Sequence, residues 1–204
     1  MSRAMGIPTA QVKQLREMTG AGILDCRRAL EETGGDLDRA VQFLREKGLA
    51  AAEKRLGRET REGFIDLYSH GNGRVGVMVE ANCETDFVAR TEEFRRFVHE
   101  VSLQVAAACP LYLDASEIPA EVVEVKRAEA RNQARHEGKP ERVWDQIVEG
   151  RLDKFYQEVC LLRQPYIRDE QVTVADVLRK MIASTGENVV IRRFQRWEVG
   201  QEAV

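Results

Sequence analysis

Residues 82–89 read Asn-Cys-Glu-Thr-Asp-Phe-Val-Ala, and they connect a predicted strand to a predicted helix. In the strand before them, residues 74–82, valine and alanine alternate with more polar residues, which is the period of a half-buried antiparallel strand. After Arg90, Thr91 can cap a helix whose apolar stripe begins at Phe94. This order of elements predicts a sheet packed on helices, as in an α+β fold.

The junction between strand and helix carries side chains that are unusual for a buried corner. A carboxylate, Asp86, stands beside a large aromatic residue, Phe87, and Thr85 precedes both. If the corner is exposed, Phe87 can enter an apolar pocket of a partner while Asp86 disturbs polar or metal chemistry beside it. In the alternative interpretation, Thr85 or Asp86 caps the helix and Phe87 packs onto its own core, as most aromatic residues near helix starts do.

Three short amphipathic helices are predicted in the first 50 residues. Thr9 and Asp36 are the expected N-caps of the first and third helices, and Gly48 is the expected end of the third. Helices of this length are not stable singly, so they must share one small core. The apolar residues at helical spacing are Val12, Leu15 and Met18, then Ile23, Cys26 and Leu30, then Leu37, Ala40, Val41 and Leu44.

This organisation predicts three parts along the chain. Residues 1–50 form the three-helix bundle, which has the size and pattern of a ubiquitin-associated-like domain. Residues 51–62 are charged and rich in alanine without a sustained apolar face, which favours a solvated helical linker. Residues 63–204 are expected to form an α+β core with a small antiparallel sheet packed on helices and a protruding helical hairpin.

Within the core, further elements follow from apolar periodicity. The expected strands are 64–70, 74–82 and 188–198. Residues 119–162 are helix-rich and broken near 138–140, and this pattern predicts the hairpin. The apolar residues expected along its second helix are Val143, Ile147, Leu152, Phe155 and Val159, and another helix is expected to begin at Val174 and to stop near Gly186.

Composition excludes several classes of protein. Hydrophobic residues make up 43% and charged residues 32% of the chain, and no apolar run approaches the ~18 residues of a membrane span. A net charge of −3 argues against a general nucleic-acid binder. The N-terminus shows no export signal, so a cytoplasmic location is expected. The four cysteines are far apart, which predicts reduced, mostly buried thiols rather than a zinc site or a disulfide framework.

Residues 71–76, Gly-Asn-Gly-Arg-Val-Gly, have the glycine spacing of a dinucleotide-binding loop. Such a loop requires a helix directly after the glycines, so that helix N-terminal amides face a pyrophosphate. Here an alternating strand follows, and Gly-Asn-Gly is typical of a hairpin turn with positive φ. Asp25 could mimic a catalytic acid, but it is expected to hydrogen bond to the turn at 19–22. We predict no catalytic residue and no cofactor.

Two motifs together resemble one known family. Residues 19–30, Thr-Gly-Ala-Gly-Ile-Leu-Asp-Cys-Arg-Arg-Ala-Leu, are similar to the N-terminal signature of elongation factor Ts, the exchange factor for elongation factor Tu. The run Thr85–Ala89 resembles the segment with which that family reaches the Mg²⁺ site of its GTPase partner. The motifs occur in the order and separation of the family, and the resemblance extends from about Thr9 to Val199.

The resemblance implies a translation factor that acts on the nucleotide of another protein. It would bind elongation factor Tu with GDP and without nucleotide, and it would promote GDP release so that GTP can bind. The N-terminal domain would dock on the nucleotide-binding domain of the partner, and its signature is Thr19, Gly20, Ala21, Gly22 and Asp25. The residues directed toward Mg²⁺ and GDP would be Thr85, Asp86, Phe87 and Val88.

The resemblance also bears on oligomeric state. Longer members of the family carry two related core halves, whereas this chain has room for one. A homodimer would compensate, and the last strand, 188–198, is the expected edge for pairing. In the alternative, the chain is a monomer whose edge is protected by Arg192, Arg193 and Arg196.

Two other functions stay open at this stage. The N-terminal bundle alone would suit a ubiquitin-type adaptor, although such binders usually present an apolar loop where this chain has Thr-Gly-Ala-Gly. The second alternative is a nucleotide-dependent enzyme in which the glycines of residues 71–76 would bind the nucleotide. Neither explains the run Thr85–Ala89.

Overall fold

The computed structural model describes residues 7–201, apart from the side chain of Leu49. These residues form α-helices and antiparallel strands, which confirms the predicted α+β class with an N-terminal helical bundle. The helices are α1 Thr9–Thr19, α2 Ile23–Glu32, α3 Leu37–Glu53, α4 Asp86–Ala89, α5 Glu92–Ala108, α6 Ala120–His136, α7 Trp144–Val159 and α8 Val174–Thr185. The strands are β1 Glu62–His70, β2 Val75–Cys83, β3 Pro165–Tyr166, β4 Asp169–Thr173 and β5 Val189–Glu198.

The chain divides into two compact units. One unit combines Met1–Glu59 with Arg179–Asn188, and the other combines Thr60–Leu178 with Val189–Val204. The second half of α8 therefore belongs with the N-terminal helices, which the sequence did not indicate.

Helices α1, α2 and α3 share one small apolar core. Asp36 caps α3 as predicted, since its carboxylate accepts a hydrogen bond from the Arg39 N–H at 3.0 Å. The predicted cap at Thr9 was wrong, because Pro8 occupies the N-cap position in an extended conformation and Thr9 is already helical. The buried residues of this core are Val12, Leu15, Cys26, Ala29, Leu30 and Ala40.

Helix α3 runs through Gly48 to Glu53, although Gly48 was expected to end it. A Cβ atom on Gly48 would lie 3.4 Å from the Cβ of Ala183 in α8. That distance is an ordinary van der Waals contact, so the packing of α3 on α8 does not require glycine at position 48, and this glycine does not terminate the helix. Ala52 is also buried, so the start of the segment expected to be a solvated linker contributes to the core.

Strands β1, β2 and β5 form an antiparallel sheet with β2 in the centre. One face packs on α5: Asp66 of β1 contacts His99, and Phe64 lies beneath the Arg95 guanidinium. Alternate residues of β2 are buried on this face, as the period predicted. The opposite face carries four exposed apolar side chains, those of Ile65, Leu67, Met78 and Trp197.

Helices α6 and α7 form the predicted hairpin. The turn between them is closed by Trp144, whose indole N–H donates to the Lys139 carbonyl at 2.8 Å. Leu152 is buried as expected, but Val148 takes the place assigned to Ile147. The two positions are adjacent, and the packing of α7 against Ala130 of α6 selects between them.

The two-stranded sheet of β3 and β4 was not predicted, and polar contacts attach it to α5. The buried amide of Gln104 donates to the Pro165 carbonyl at 3.1 Å and accepts from the Ile167 N–H at 2.9 Å. A strand pair of this length has too few apolar residues to generate a periodic signal, which is why sequence patterns miss it.

Glu100 of α5 binds β3 and the turn that follows it through three hydrogen bonds, one from Tyr166 and two from Arg168. Its carboxylate accepts from the Tyr166 hydroxyl at 2.9 Å and from the Arg168 guanidinium at 3.0 Å. Burial alone would raise the pKa of Glu100, but the hydrogen bonds from Arg168 and Tyr166 outweigh burial and lower it. Burial and the bond to Glu100 raise the pKa of Tyr166 to about 12.

Candidate partner-binding site

The run Thr85–Ala89 lies at the corner between the sheet and α5. Strand β2 ends at Cys83, and the one-turn helix α4 occupies Asp86–Ala89 before α5 begins. The Thr85 hydroxyl accepts from the Val88 N–H at 3.5 Å and so caps α4. Both ends of the corner are therefore fixed by local hydrogen bonds, because Thr91 donates to the Val88 carbonyl at 2.8 Å and also caps α5.

Packing beneath the corner holds it against the sheet. Ala89 is 7% exposed, and the buried Cys83 thiol donates to the Thr85 carbonyl at 3.2 Å. Gly63 of β1 lies opposite Asn82. A Cβ atom on Gly63 would collide with the Ala81 carbonyl oxygen and approach the Asn82 side-chain nitrogen to 2.8 Å. Glycine at position 63 is therefore required for β1 to pair closely with the end of β2.

The aromatic residue of the corner points into solvent. Phe87 is 81% exposed, the largest exposed fraction among the large apolar residues of the described chain. The alternative interpretation from the sequence had two parts. The helix cap by Thr85 is present in the structure, but Phe87 does not pack onto the core of its own chain. The exposure follows from the geometry of one helical turn, because the side of α4 that carries Ala89 faces the core.

Asp86, next to Phe87, forms an ion pair within the corner. One of its carboxylate oxygens lies 2.9 Å from a guanidinium nitrogen of Arg90, four residues further along the chain. Thr85, Asp86 and Val88 are partly exposed. The structure thus brings the four residues predicted for the partner site together on one turn of backbone, with an acidic and an aromatic side chain side by side.

The N-terminal signature forms the turn between α1 and α2. The Thr19 hydroxyl donates to the Leu15 carbonyl at 2.7 Å and accepts from the Ala21 N–H at 3.3 Å. These bonds make Thr19 the organising residue of the turn. The sequence suggested that Asp25 would hydrogen bond to the turn. In the structure its carboxylate instead accepts a hydrogen bond from the Lys47 ammonium group at 2.9 Å, and this contact ties α2 to α3.

Apolar side chains surround this turn on the surface. Met18 is 55% exposed, Ile23 is 54% exposed and Leu24 is 80% exposed. Met18 and Ile23 were expected in the bundle core, and this expectation was wrong, since both lie at helix ends beyond the reach of the shared core. The adjacent apolar residues Ile23 and Leu24, directly after Gly20-Ala21-Gly22, are the sequence signal that could have indicated an exposed patch.

Residues 71–76 form a turn and not a nucleotide-binding loop. Gly71, Asn72 and Gly73 all have positive φ, between 54° and 83°. Strand β2 follows directly, so no helix N-terminus faces the glycines. The turn interpretation is confirmed, and the enzyme alternative loses the feature on which it rested.

Within residues 7–201, no group of three or more His, Cys, Asp or Glu side chains is arranged to hold a metal ion. None of the helices in the same range has the length and apolar character needed to cross a membrane.

Comparison with known proteins agrees with this architecture. The family model for elongation factor TS matches residues 37–201. Elongation factor Ts of Caldanaerobacter subterraneus subsp. tengcongensis is 57% identical over 195 residues, which cover 96% of this chain and 98% of that protein. The proteins of the same name from Coprothermobacter proteolyticus and Moorella thermoacetica are each 52% identical, over 197 and 198 residues, and each match covers 97% of this chain with 100% and 98% of the relative. The chain therefore belongs to the elongation factor Ts family of translation elongation factors.

Proposed function

We propose that this chain is a guanine-nucleotide exchange factor for elongation factor Tu. It binds the GDP-bound partner, disturbs the Mg²⁺ site and promotes GDP release, so that GTP can bind. The observation that carries the proposal is the exposed Phe87 beside Asp86 on a corner with a fixed backbone. We call the segment Thr85–Val88 the wedge.

The apolar part of the wedge can supply enough energy to loosen a nucleotide. Complete burial of a phenylalanine side chain stabilises a complex by about 1.5–3 kcal/mol. If Phe87 reaches its pocket only when the nucleotide site is distorted, linkage weakens GDP binding by the same amount. That energy corresponds to a roughly 10- to 100-fold loss of GDP affinity.

The acidic part of the wedge would act on the metal. Mg²⁺ prefers hard oxygen ligands and a strict octahedral arrangement. A carboxylate such as Asp86 pushed beside it disturbs that arrangement and weakens the contacts between the metal and the GDP phosphates. Displacement of the metal adds to the effect of Phe87, and neither step requires covalent chemistry by this chain.

The N-terminal unit is proposed to dock on the nucleotide-binding domain of the partner. Its exposed apolar patch, formed by Met18, Ile23 and Leu24, supports this role, because clustered apolar side chains on a small domain usually mark an interaction surface. Hydrogen bonds of the signature turn link the ends of α1 and α2 and so fix the patch, because the Ala21 N–H donates to the Thr19 hydroxyl at 3.3 Å and the Cys26 thiol of α2 donates to the Ala21 carbonyl at 3.6 Å.

A second copy of this chain is proposed as a further partner. Strand β5 is at one edge of the sheet, where an unpaired strand can accept another. The open sheet face adds a second reason, since Ile65, Leu67, Met78 and Trp197 are exposed apolar side chains on it. Leu67, Met78 and Trp197 also line an open groove of about 230 Å³. Two such faces packed together would cover the apolar side chains of both chains. We therefore propose a homodimer that uses this sheet.

In this proposal the protein acts in the cytoplasm, with elongation factor Tu in its GDP-bound and nucleotide-free forms. It binds no nucleic acid, no membrane and no nucleotide of its own. Its effect is wholly on the nucleotide of its partner.

The release of fluorescent GDP from elongation factor Tu tests the proposal. Addition of this chain should accelerate release, and the rate should saturate as its concentration rises. Fluorescent GDP mixed with this chain alone serves as the control, and no binding is expected. Unchanged release at saturating concentration would refute the proposed function.

A further inference from the structure

Arg90 lies two residues after the wedge, at the C-terminal end of α4, and its side chain contacts Asp86 of the wedge. Its guanidinium nitrogen Nη2 lies 2.9 Å from the Asp86 carboxylate, and its backbone N–H donates to the Asp86 carbonyl at 3.1 Å. The Arg90 side chain is 75% exposed and the Asp86 side chain 43% exposed. Exposed pairs of this kind contribute little to folding stability, so the contact can be removed without unfolding the corner.

The charge pattern around the wedge makes this arginine distinctive. Between Glu84 and Glu93, Arg90 is the single basic residue, and the acidic residues are Glu84, Asp86, Glu92 and Glu93. Glu80 is already paired with Arg193 at 2.7 Å, and the next arginines, Arg95 and Arg96, lie further along α5. A GDP-bound GTPase presents negatively charged phosphates, and like charges repel as they approach. Without Arg90, this segment would bring only negative charge to the nucleotide site.

We propose that Arg90 is a positioning residue for nucleotide exchange. Its guanidinium holds the Asp86 carboxylate beside Phe87 and neutralises it while the wedge approaches the phosphates of the bound GDP. Asp86 is thus delivered to the metal in a fixed orientation, and electrostatic repulsion does not oppose the encounter. This role rests on the proposed function, because it applies to the same wedge and the same partner.

The test uses Arg90→Gln in the full chain, with GDP release measured over a range of ionic strength and Mg²⁺ concentration. Loss of the neutralising charge should reduce kcat/KM for release by about tenfold at low salt and less at high salt, because salt screens the repulsion. Arg90→Lys keeps the charge and should retain most of the activity. The matched control is Arg96→Gln, which removes an exposed arginine of α5 outside the wedge and should release GDP at the unaltered rate.

A double-mutant cycle separates positioning from an independent role. If Arg90 acts through Asp86, then Arg90→Gln should have little further effect in a chain that already carries Asp86→Asn. The thermal midpoint and the affinity for nucleotide-free partner should stay unchanged in all variants, since the repulsion requires the phosphates.

Three results would overturn the role of Arg90. They are normal release by Arg90→Gln at low salt, an equal loss in the presence of Asp86→Asn, and an equal loss in the Arg96→Gln control. Release by the unaltered chain, measured alongside, distinguishes the two proposals. If the unaltered chain does not accelerate GDP release, both the exchange function and the role of Arg90 are refuted. If the unaltered chain and Arg90→Gln accelerate release equally, only the role of Arg90 is refuted.

Discussion

Replacement of Phe87 by alanine separates partner binding from folding. Phe87 is 81% exposed, so about one fifth of its surface is covered by its own chain. For a side chain of about 200 Å², that covered area is about 40 Å², and its loss lowers the free energy of unfolding by about 1 kcal/mol. A core phenylalanine would cost about 3–5 kcal/mol on the same replacement.

The effect on exchange should be much larger than the effect on stability. Burial of Phe87 in the partner is worth about 1.5–3 kcal/mol, so Phe87→Ala should slow catalysed GDP release by roughly 10- to 100-fold. Release of fluorescent GDP in a stopped-flow instrument gives the rate, and thermal unfolding followed by circular dichroism gives the midpoint. For a chain of this size, about 1 kcal/mol lowers the midpoint by about 2–4 °C.

Two control variants show what an exposed and a buried apolar residue each contribute to the exchange rate and to the thermal midpoint. Leu111→Ala removes an apolar residue that is 68% exposed elsewhere on the surface, so its midpoint should fall about as little as that of Phe87→Ala, while the exchange rate should stay unchanged. Phe94→Ala removes a fully buried phenylalanine of α5 and should unfold at a much lower temperature. A normal exchange rate for Phe87→Ala would refute the wedge. Early melting of Phe87→Ala, with normal catalysis by its folded fraction, would instead favour a core role.

The other predictions concern the metal, the docking patch, the dimer and acid stability. Asp86→Ala should slow GDP release more at millimolar Mg²⁺ than without Mg²⁺, and equal losses at both would contradict a role at the metal. Leu24→Asp, at a residue 80% exposed, should weaken binding to elongation factor Tu about tenfold or more in calorimetry without a change in thermal midpoint. Light scattering should give twice the chain mass, and Leu67→Asp on the open sheet face should give a folded monomer; a monomeric unaltered protein would contradict the dimer. The pKa of Glu100 is lowered by folding, so its contribution to stability is present above the pKa of the unfolded chain and is lost as the pH falls through the folded-state value. Glu100→Gln should therefore lower the free energy of unfolding at neutral pH, and the difference from the unaltered chain should shrink as the pH falls below the ordinary pKa of a glutamate, as measured by denaturant titration.

Features encoded in neighbouring residues were predicted well. The alternation in β2, the Thr91 cap of α5 and the turn at 71–76 all depend on contacts within a few residues, and each is present in the structure. Features set by distant contacts were missed. Gly48 has the local appearance of a helix end, but α3 continues to Glu53, and the sequence around Gly48 does not show that this part of the helix packs against Ala183 of α8.

The same distinction applies to the candidate site. The sequence identified Thr85–Val88 as a junction, but it left open whether Phe87 points inward or outward. The answer depends on which side of α4 meets the sheet, and burial of Ala89 decides that. Arg90 could have been found from the sequence, because it is the single basic residue among the carboxylates of the corner.

The construction of the corner suits so small an element to the action on a partner proposed above. A helix of one turn is not stable alone, so α4 depends on the caps from Thr85 and Thr91 and on the close pairing that Gly63 permits. These contacts fix the backbone before any partner is bound. On binding, Phe87 then loses side-chain freedom only, and little of its burial energy is consumed in ordering a loop. A flexible loop with the same residues would lose much of that energy, and a fixed corner leaves it available to distort the nucleotide site.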